Sequence, residues 1–263
     1  MIKNIKLFVN ENTKSLETAK LIKDKLISNQ FVIDDKNYDL AIAIGGDGSF
    51  LRMVKQNNFN SDIYYIGINS GTLGFMQEVK LSEIDEFVEE LKNNKFIVEE
   101  TGIQETTIHF KDEDIKFYSL NEIIIRDKDL KVVKLNINVD NQLLQNFMGD
   151  GILIASSSGS TAHNLSYGGS IVYDTFTSLQ ITPMGPINSK VYKSLVNSLI
   201  IPDKKEILIV PDNQNLMITV DGENKIYEDV LNIKTIIDEK KIKKLRFSHY
   251  SFSKKINEKI LGQ

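Results

Sequence analysis

Apolar positions in the first hundred residues fall alternately into short runs and helical stripes. Ile5, Leu7 and Val9 alternate with Lys6, Phe8 and Asn10, the period-two pattern of a short strand. Leu16, Ala19, Ile22 and Leu26 recur three or four residues apart, which predicts a helix over 15–29 with these four on its packed face. The continuous run Leu40-Ala41-Ile42-Ala43-Ile44 fits a parallel strand covered on both faces. A glycine-rich turn leads into a helical pattern from Phe50 to Lys55, and Ile63–Ile68 reads as another strand. Ile84, Phe87, Val88 and Leu91 mark one side of a helix over 82–93, with Ser82 as its N-cap and Asp85 three residues on. Strands alternating with helices predict an open, largely parallel sheet.

After about residue 100 extended patterns dominate, over 106–110, 116–126, 132–139, 151–155, 205–210, 216–220 and 231–237. Asp140-Asn141 and Asp221-Gly222 each lie between alternating runs and predict hairpin turns. The fold class expected is therefore α/β plus β: a Rossmann-like α/β domain over 1–100, then a β-rich domain, a β-sandwich, over 101–239. Five Lys or Arg within 240–246 are expected to form a solvated face.

Composition narrows the function. In 263 residues, 41% hydrophobic and 26% charged are globular values that argue against disordered and fibrous classes. The longest apolar runs fall far short of the roughly 18 residues a bilayer span needs, so no membrane association is expected. The start, Met1-Ile-Lys-Asn-Ile-Lys, has no apolar signal core. With no cysteine, disulfides, thiolate metal sites and cysteine nucleophiles drop out together, which fits a cytoplasmic protein. His109, His163 and His249 are far apart in sequence, and no metal site is expected from them. A net charge of −4 disfavours binding to nucleic acid, where affinity comes from neutralising phosphates.

Three segments can carry chemistry. Gly45-Gly46-Asp47-Gly48-Ser49 directly follows the buried strand and opens a helix. Glycines let backbone N–H groups approach an anion closely, and the helix N-terminus adds its positive end. Ser49 can cap that helix. A plain strand-to-helix turn is the alternative, but a carboxylate inside an anion-binding turn must face a bridging cation or a substrate hydroxyl. The second segment is Asn121-Glu122, a polar pair beside Ile123-Ile124-Ile125, costly to bury without partners. The third runs from Gly149-Asp150-Gly151 through Ser156 to Gly169, a loop crowded with hydroxyls and glycines and suited to ligand binding. Asp221-Gly222 is accounted for by its turn.

Together, in this order, the segments resemble the bacterial and archaeal type of the NAD kinase family over residues 40–190. The first motif is shared with phosphofructokinases and with diacylglycerol and sphingosine kinases; Gly-Ser-Thr-Ala-x-x-Leu-Ser-x-Gly-Gly in the third is the specific one. The resemblance implies transfer of the terminal phosphoryl of ATP, or of polyphosphate, to the 2′-hydroxyl of the adenosine ribose of NAD. It implies an active site between an α/β and a β-rich domain, a tail over about 240–263 returning to the first, and Mg²⁺ accompanying ATP. Asp47 matches the residue that accepts the 2′-hydroxyl proton, with holding Mg²⁺ as its other possible role. Gly45, Gly46, Gly48 and Ser49 match phosphate-binding positions. Asn121, Glu122, Asp150, Ser158, Thr161, Ala162, His163, Asn164, Leu165, Ser166 and Gly185 match the NAD-binding positions, and Glu223 does so less closely. Relatives form homodimers and homotetramers.

The chain departs from the family pattern at four places. Ser49 replaces Thr, His163 replaces a frequent Tyr, Met148 stands where many relatives carry Arg, and Glu223 stands for Gln or His. Two other readings are a lipid or sugar kinase sharing the Gly-Gly-Asp-Gly turn, and a nucleotide-binding sensor without catalysis. A lipid kinase needs an apolar acceptor groove, which the polar stretch 156–166 does not suggest. A sensor has no need of Asp47 or of the Asn-Glu pair.

Overall fold

The computed structural model describes residues 2–71, 74–190 and 193–262. It divides into two compact units, Met1–Thr101 with Lys241–Gln263, and Gly102–Lys240. The first 101 residues run β1 (Asn4–Val9), α1 (Thr13–Ser28), β2 (Val32–Ile33), β3 (Leu40–Gly45), α2 (Asp47–Gln56), β4 (Tyr64–Asn69) and α3 (Ile84–Lys92), and then enter β5 (Phe96–His109). Strands β2, β1, β3 and β4 lie side by side in parallel. All six residues of β3 are buried, as its unbroken apolar run requires. Ile5, Ile42, Ile44 and Ile68 of the sheet pack with Ile22 and Leu26 of α1 and Phe87 and Leu91 of α3.

Two helices differ in detail from the sequence pattern. Helix α1 buries Ser15, Thr18, Ile22 and Leu26, whereas Leu16 is exposed. The stripe is turned because the inward Ser15 hydroxyl has a partner, Ser70 Oγ at 2.7 Å, and Thr18 bonds the Lys14 carbonyl. Helix α3 is preceded by a 3₁₀ turn over Leu81–Glu83. There the Glu83 carboxylate accepts the Lys80 N–H at 2.8 Å, so Ser82 is not the cap.

The second unit adds β6 (Asp114–Ser119), β7 (Glu122–Asp127), β8 (Val133–Val139), β9 (Gln142–Gly149), β10 (Gly151–Ser156), α4 (His163–Ser166), β11 (Ser178–Met184), β12 (Leu199–Pro202), β13 (Ile207–Pro211), β14 (Leu216–Val220), β15 (Glu223–Tyr227) and the first part of β16 (Asn232–Phe247). The extended stretch expected over 116–126 is two strands, parted at Leu120-Asn121. One antiparallel sheet runs β12-β11-β10-β7-β14-β15; the other layer joins β9, β8, β13 and Ile233–Thr235 of β16. Ile123, Ile152 and Ile218 from the first layer meet Leu135, Phe147 and Ile209 from the second in one core. The fold class is thus an α/β unit followed by a β-rich one. Both predicted hairpin turns have positive φ at each central residue, Asp140 48° and Asn141 63°, Asp221 46° and Gly222 87°, the signature of a type I′ turn.

Strand β16 does not stop at Ile237 but runs on into the first unit, where Lys243 and Lys244 pair in parallel with Tyr64 and Tyr65. Helix α5 (Phe252–Ile256) follows. The basic run over 240–246 is not a uniformly solvated face. Lys244 and Arg246 are buried because Glu99 and Glu78 meet them there.

Candidate functional site

In the first unit, β3 ends in Gly45, and α2 begins two residues later at Asp47 with Gly46 as N-cap. Gly45 has φ +152°, and a methyl there would fall 2.3 Å from Ser49 Oγ. This glycine is demanded by the turn itself. At Gly46 a methyl would meet nothing within 4 Å, and at Gly48 only the Arg52 guanidinium at 3.7 Å. Those two glycines relieve no crowding; they leave backbone N–H groups at a helix N-terminus uncovered, the arrangement that suits an anion. Ser49 does not cap the helix. It is the third residue of α2, buried, and its hydroxyl accepts from Asn10 Nδ2 at 3.3 Å and Arg52 Nη2 at 3.2 Å.

Asp47 is fixed from outside its own helix. Its Oδ2 accepts the Phe75 N–H at 2.8 Å and its Oδ1 the Met76 N–H at 3.0 Å. A methyl on Gly74 would fall 2.0 Å from Oδ1, so residue 74 has to be glycine for the carboxylate to lie there. Two backbone donors hold the anion in one orientation. Arg52 beside the turn was missed in the sequence, although the spacing of one helical turn from Ser49 could have found it. Lys259 is held below the usual lysine range chiefly by partial burial, against the pull of Glu258 and Asp47.

In the second unit, Asn121 immediately precedes β7 and Glu122 opens it, both buried. The Asp221 carboxylate, in the β14–β15 turn, accepts the N–H groups of Leu120, Asn121 and Glu122 at 2.8, 2.7 and 3.2 Å. Asp221 thus does more than make a turn: it sets the backbone of the polar pair. Ser156 closes the other side, its hydroxyl donating to the Leu120 carbonyl at 2.6 Å. His163 Nδ1 lies 2.9 Å from Glu122 Oε1. Asn121 Oδ1 and Glu122 Oε2 are buried with no hydrogen-bond partner among the described residues. Orphaned buried acceptors cost free energy, and a ligand with hydroxyl or amide donors would satisfy both.

Burial pushes the Glu122 carboxyl up to about 7, against the pull of His163, and the Asp221 charge adds to the rise. A carboxyl raised above its ordinary 4.5 holds its proton more tightly folded than unfolded. The associated stability is full below that ordinary value and is lost as the pH climbs through about 7. The thermal midpoint is therefore expected to fall more steeply between pH 4.5 and about pH 7 in the unaltered protein than in Glu122→Gln. Parallel melting curves across that range would refute this.

Of the other expected NAD positions, Ser158 and Thr161 lie in a 3₁₀ turn over Ser158–Thr161, with Ala162 and Leu165 half-buried and His163 and Ser166 exposed. Asp150 and Gly185 are brought together, since a methyl on Gly185 would fall 2.3 Å from Asp150 Oδ2. Glu223 is exposed at the start of β15. Asn164 departs from expectation. It is fully buried, and its amide bonds Thr182 Oγ1 at 2.5 Å and Gln180 Oε1 at 3.2 Å. It holds the loop from within instead of presenting its side chain to a ligand.

A carboxylate fixed in an anion-binding turn and an orphaned polar pair beside a hydroxyl-rich loop suit a protein that handles phosphorylated nucleotides. Residues 7–96 match the ATP-NAD kinase N-terminal domain and residues 120–243 the ATP-NAD kinase C-terminal domain. The chain belongs to the ATP-NAD kinase family. It is 42% identical over 210 residues to an NAD kinase of Finegoldia magna, covering 78% of this chain and 77% of that one. To an NAD kinase of Streptococcus gordonii it is 31% identical over 266 residues, covering 99% and 96%. The fold is similar to that of yeast NADH kinase solved in complex with NADH, with a TM-score of 0.84 at 21% identity over 99% of this chain and 88% of that one. Matches across both halves set aside the lipid- or sugar-kinase reading. No helix among the described residues is long and apolar enough to cross a membrane.

Proposed function

We propose that the protein transfers the terminal phosphoryl group of ATP, or of polyphosphate, to the 2′-hydroxyl of the adenosine ribose of NAD, giving NADP. The observation that carries this reading is Asp47, a carboxylate aimed by two backbone N–H groups at the start of a helix that suits phosphate. The O2′ atom attacks the terminal phosphorus, the bond to the bridging oxygen breaks, and the hydroxyl proton passes to Asp47. A carboxylate is too weak a base to take that proton beforehand, so Asp47 orients the hydroxyl and collects its proton late. Gly45, Gly46, Gly48 and Ser49 receive the donor phosphates, with Arg52 beside them supplying positive charge. Asn121 and Glu122 bind NAD, together with Asp150, Ser158, Thr161, Ala162, His163, Leu165, Ser166, Gly185 and, at the rim, Glu223.

Mg²⁺ belongs to this reading as the companion of ATP. Among the described residues the one group of three close ligating side chains is Glu86, Glu90 and His249, and Asp47 is not part of it. A lone carboxylate fits an ion carried mainly by substrate phosphates and water; bound so, it neutralises phosphate charge. A cytoplasmic location, where ATP and NAD are both held, is part of the proposal. So is a homodimer or homotetramer built through the second unit, where Phe176 and Val196 are largely exposed. Light scattering on a sizing column checks the assembly.

The test mixes purified protein with NAD, ATP and Mg²⁺ and reads NADP with a strictly NADP-dependent dehydrogenase. A rate that needs all three components is expected. NADP formed only with polyphosphate would change the donor, and no NADP from either, by a protein that binds NAD, would favour the sensor.

A further inference from the structure

A buried charged cluster in the first unit has no part in the reading so far. Lys255 of α5 is buried, and its Nζ donates to the Gln77 carbonyl at 2.8 Å and stands 3.4 Å from Glu78 Oε2. Glu78 also takes Arg246 Nη1 at 2.8 Å and the Phe247 N–H at 3.2 Å. Arg246 reaches on to Glu99 at 2.7 Å, where Lys244 joins at 2.6 Å. The Tyr250 ring lies under both cations, 4.4 Å from the Arg246 guanidinium and 5.5 Å from Lys255 Nζ.

What this cluster grips is the short strip after β4 that holds Asp47. The N–H groups of Glu78 and Val79 both donate to the Gly67 carbonyl, fixing the far end of the strip to β4. Phe75 and Met76, at its near end, give their N–H groups to the Asp47 carboxylate. Between the two ends lies Gln77, whose side-chain amide is fully buried with neither polar atom bonded. That side chain gives the strip no polar anchor; the bond from Lys255 to the Gln77 carbonyl does.

We propose that Lys255 is a positioning residue for Asp47: by holding the Gln77 carbonyl and Glu78 it fixes the strip whose N–H groups aim the carboxylate. The proposal rests on the reading of Asp47 given above. It assigns the C-terminal segment a role in the chemistry, exerted across the strip and without contact to substrate. Burial, reinforced by Arg246, also holds the Lys255 ammonium down at about 7.

The test compares Lys255→Met and Lys255→Arg in the full chain, with Glu78→Gln as a second route should the methionine variant not fold. Steady-state kinetics are read with NAD and ATP, and amide hydrogen exchange is read by mass spectrometry without substrates. In Lys255→Met and in Glu78→Gln, kcat is expected to fall about ten- to a hundredfold, as when a reacting group is displaced by about 1 Å. KM for NAD should change by no more than about twofold, because ground-state binding is untouched. The peptide over 74–78 should exchange faster while that over 40–45 does not, and arginine, which keeps N–H donors and a cation in a longer, planar group, should restore part of both rate and protection. Unchanged kcat, or exchange rising equally throughout the unit, would overturn the proposal. If Asp47→Asn itself leaves kcat intact, the reading of Asp47 fails, whereas the exchange of 74–78 still decides the link to Lys255.

Discussion

Asp47→Asn is expected to lower NADP formation by about 10²–10⁴-fold, the range contributed by a positioned proton acceptor, while NAD still binds. The substitution keeps the volume and removes the charge. One amide oxygen can still accept from Phe75 or Met76, but the amide nitrogen then faces the other N–H donor. One of the two bonds at 2.8 and 3.0 Å is therefore lost, a stability cost of about 1.5–3 kcal/mol for a hydrogen bond to a charged group. Calorimetric titration with NAD separates the two consequences. Loss of turnover with NAD affinity kept assigns Asp47 to the proton. Loss of affinity in proportion would make it a structural part of the site and leave the acceptor unassigned.

Gly159→Ala is expected to damage the NAD side just as selectively. A methyl there would fall 2.1 Å from the Asn121 carbonyl oxygen and 2.5 Å from its carbon. Both are backbone atoms of the strand edge that carries the orphaned acceptors, so no rotamer change relieves the contact. The turn over Ser158–Thr161 and the start of β7 must move apart, and the cost of forcing one methyl into a closed site is about 1–3 kcal/mol. If half of that falls on the geometry of Asn121 and Glu122, NAD affinity drops about two- to twelvefold. Thermal melting and titration with NAD measure the two parts, and an alanine variant that binds NAD normally would show that the pair is not the NAD contact.

The sequence pattern was sufficient where a structure is built from neighbours along the chain. The run Leu40–Ile44 announced a strand covered on both faces, the glycines after it announced the turn, and Asp-Asn and Asp-Gly announced the hairpins. It was insufficient where partners are far apart. Arg246 and Lys244 read as solvated because Glu78 and Glu99, which draw them inward, lie 168 and 147 residues from Arg246. Asp221 looked complete as a turn residue because the three N–H groups it accepts are about a hundred positions upstream. Helix α1 turned Leu16 outward for a similar reason, since the hydroxyl that welcomes Ser15 belongs to Ser70. At the candidate site, residue types and order were legible. What fixes Asp47 and aims Glu122 was not, because Asp47 is held by backbone N–H groups of another segment and Glu122 by the side chains of Asp221 and His163.

The first unit is assembled from two stretches of chain with the whole of the second unit between them. On the ribosome, Glu78 and Glu99 emerge long before any of Lys244, Arg246 and Lys255. Until then Glu78 in the strip after β4 and Glu99 in β5 are carboxylates that cannot be buried without a counter-charge. The β-rich unit, contiguous in the chain, can close on itself during synthesis, whereas the α/β unit has to wait for the segment from Lys241 onward, which follows the whole of the other unit. Competence for phosphoryl transfer is thereby deferred until α5 has emerged, so a nascent chain cut short before it would carry a complete nucleotide loop whose Asp47 rests on a strip without its Lys255 anchor.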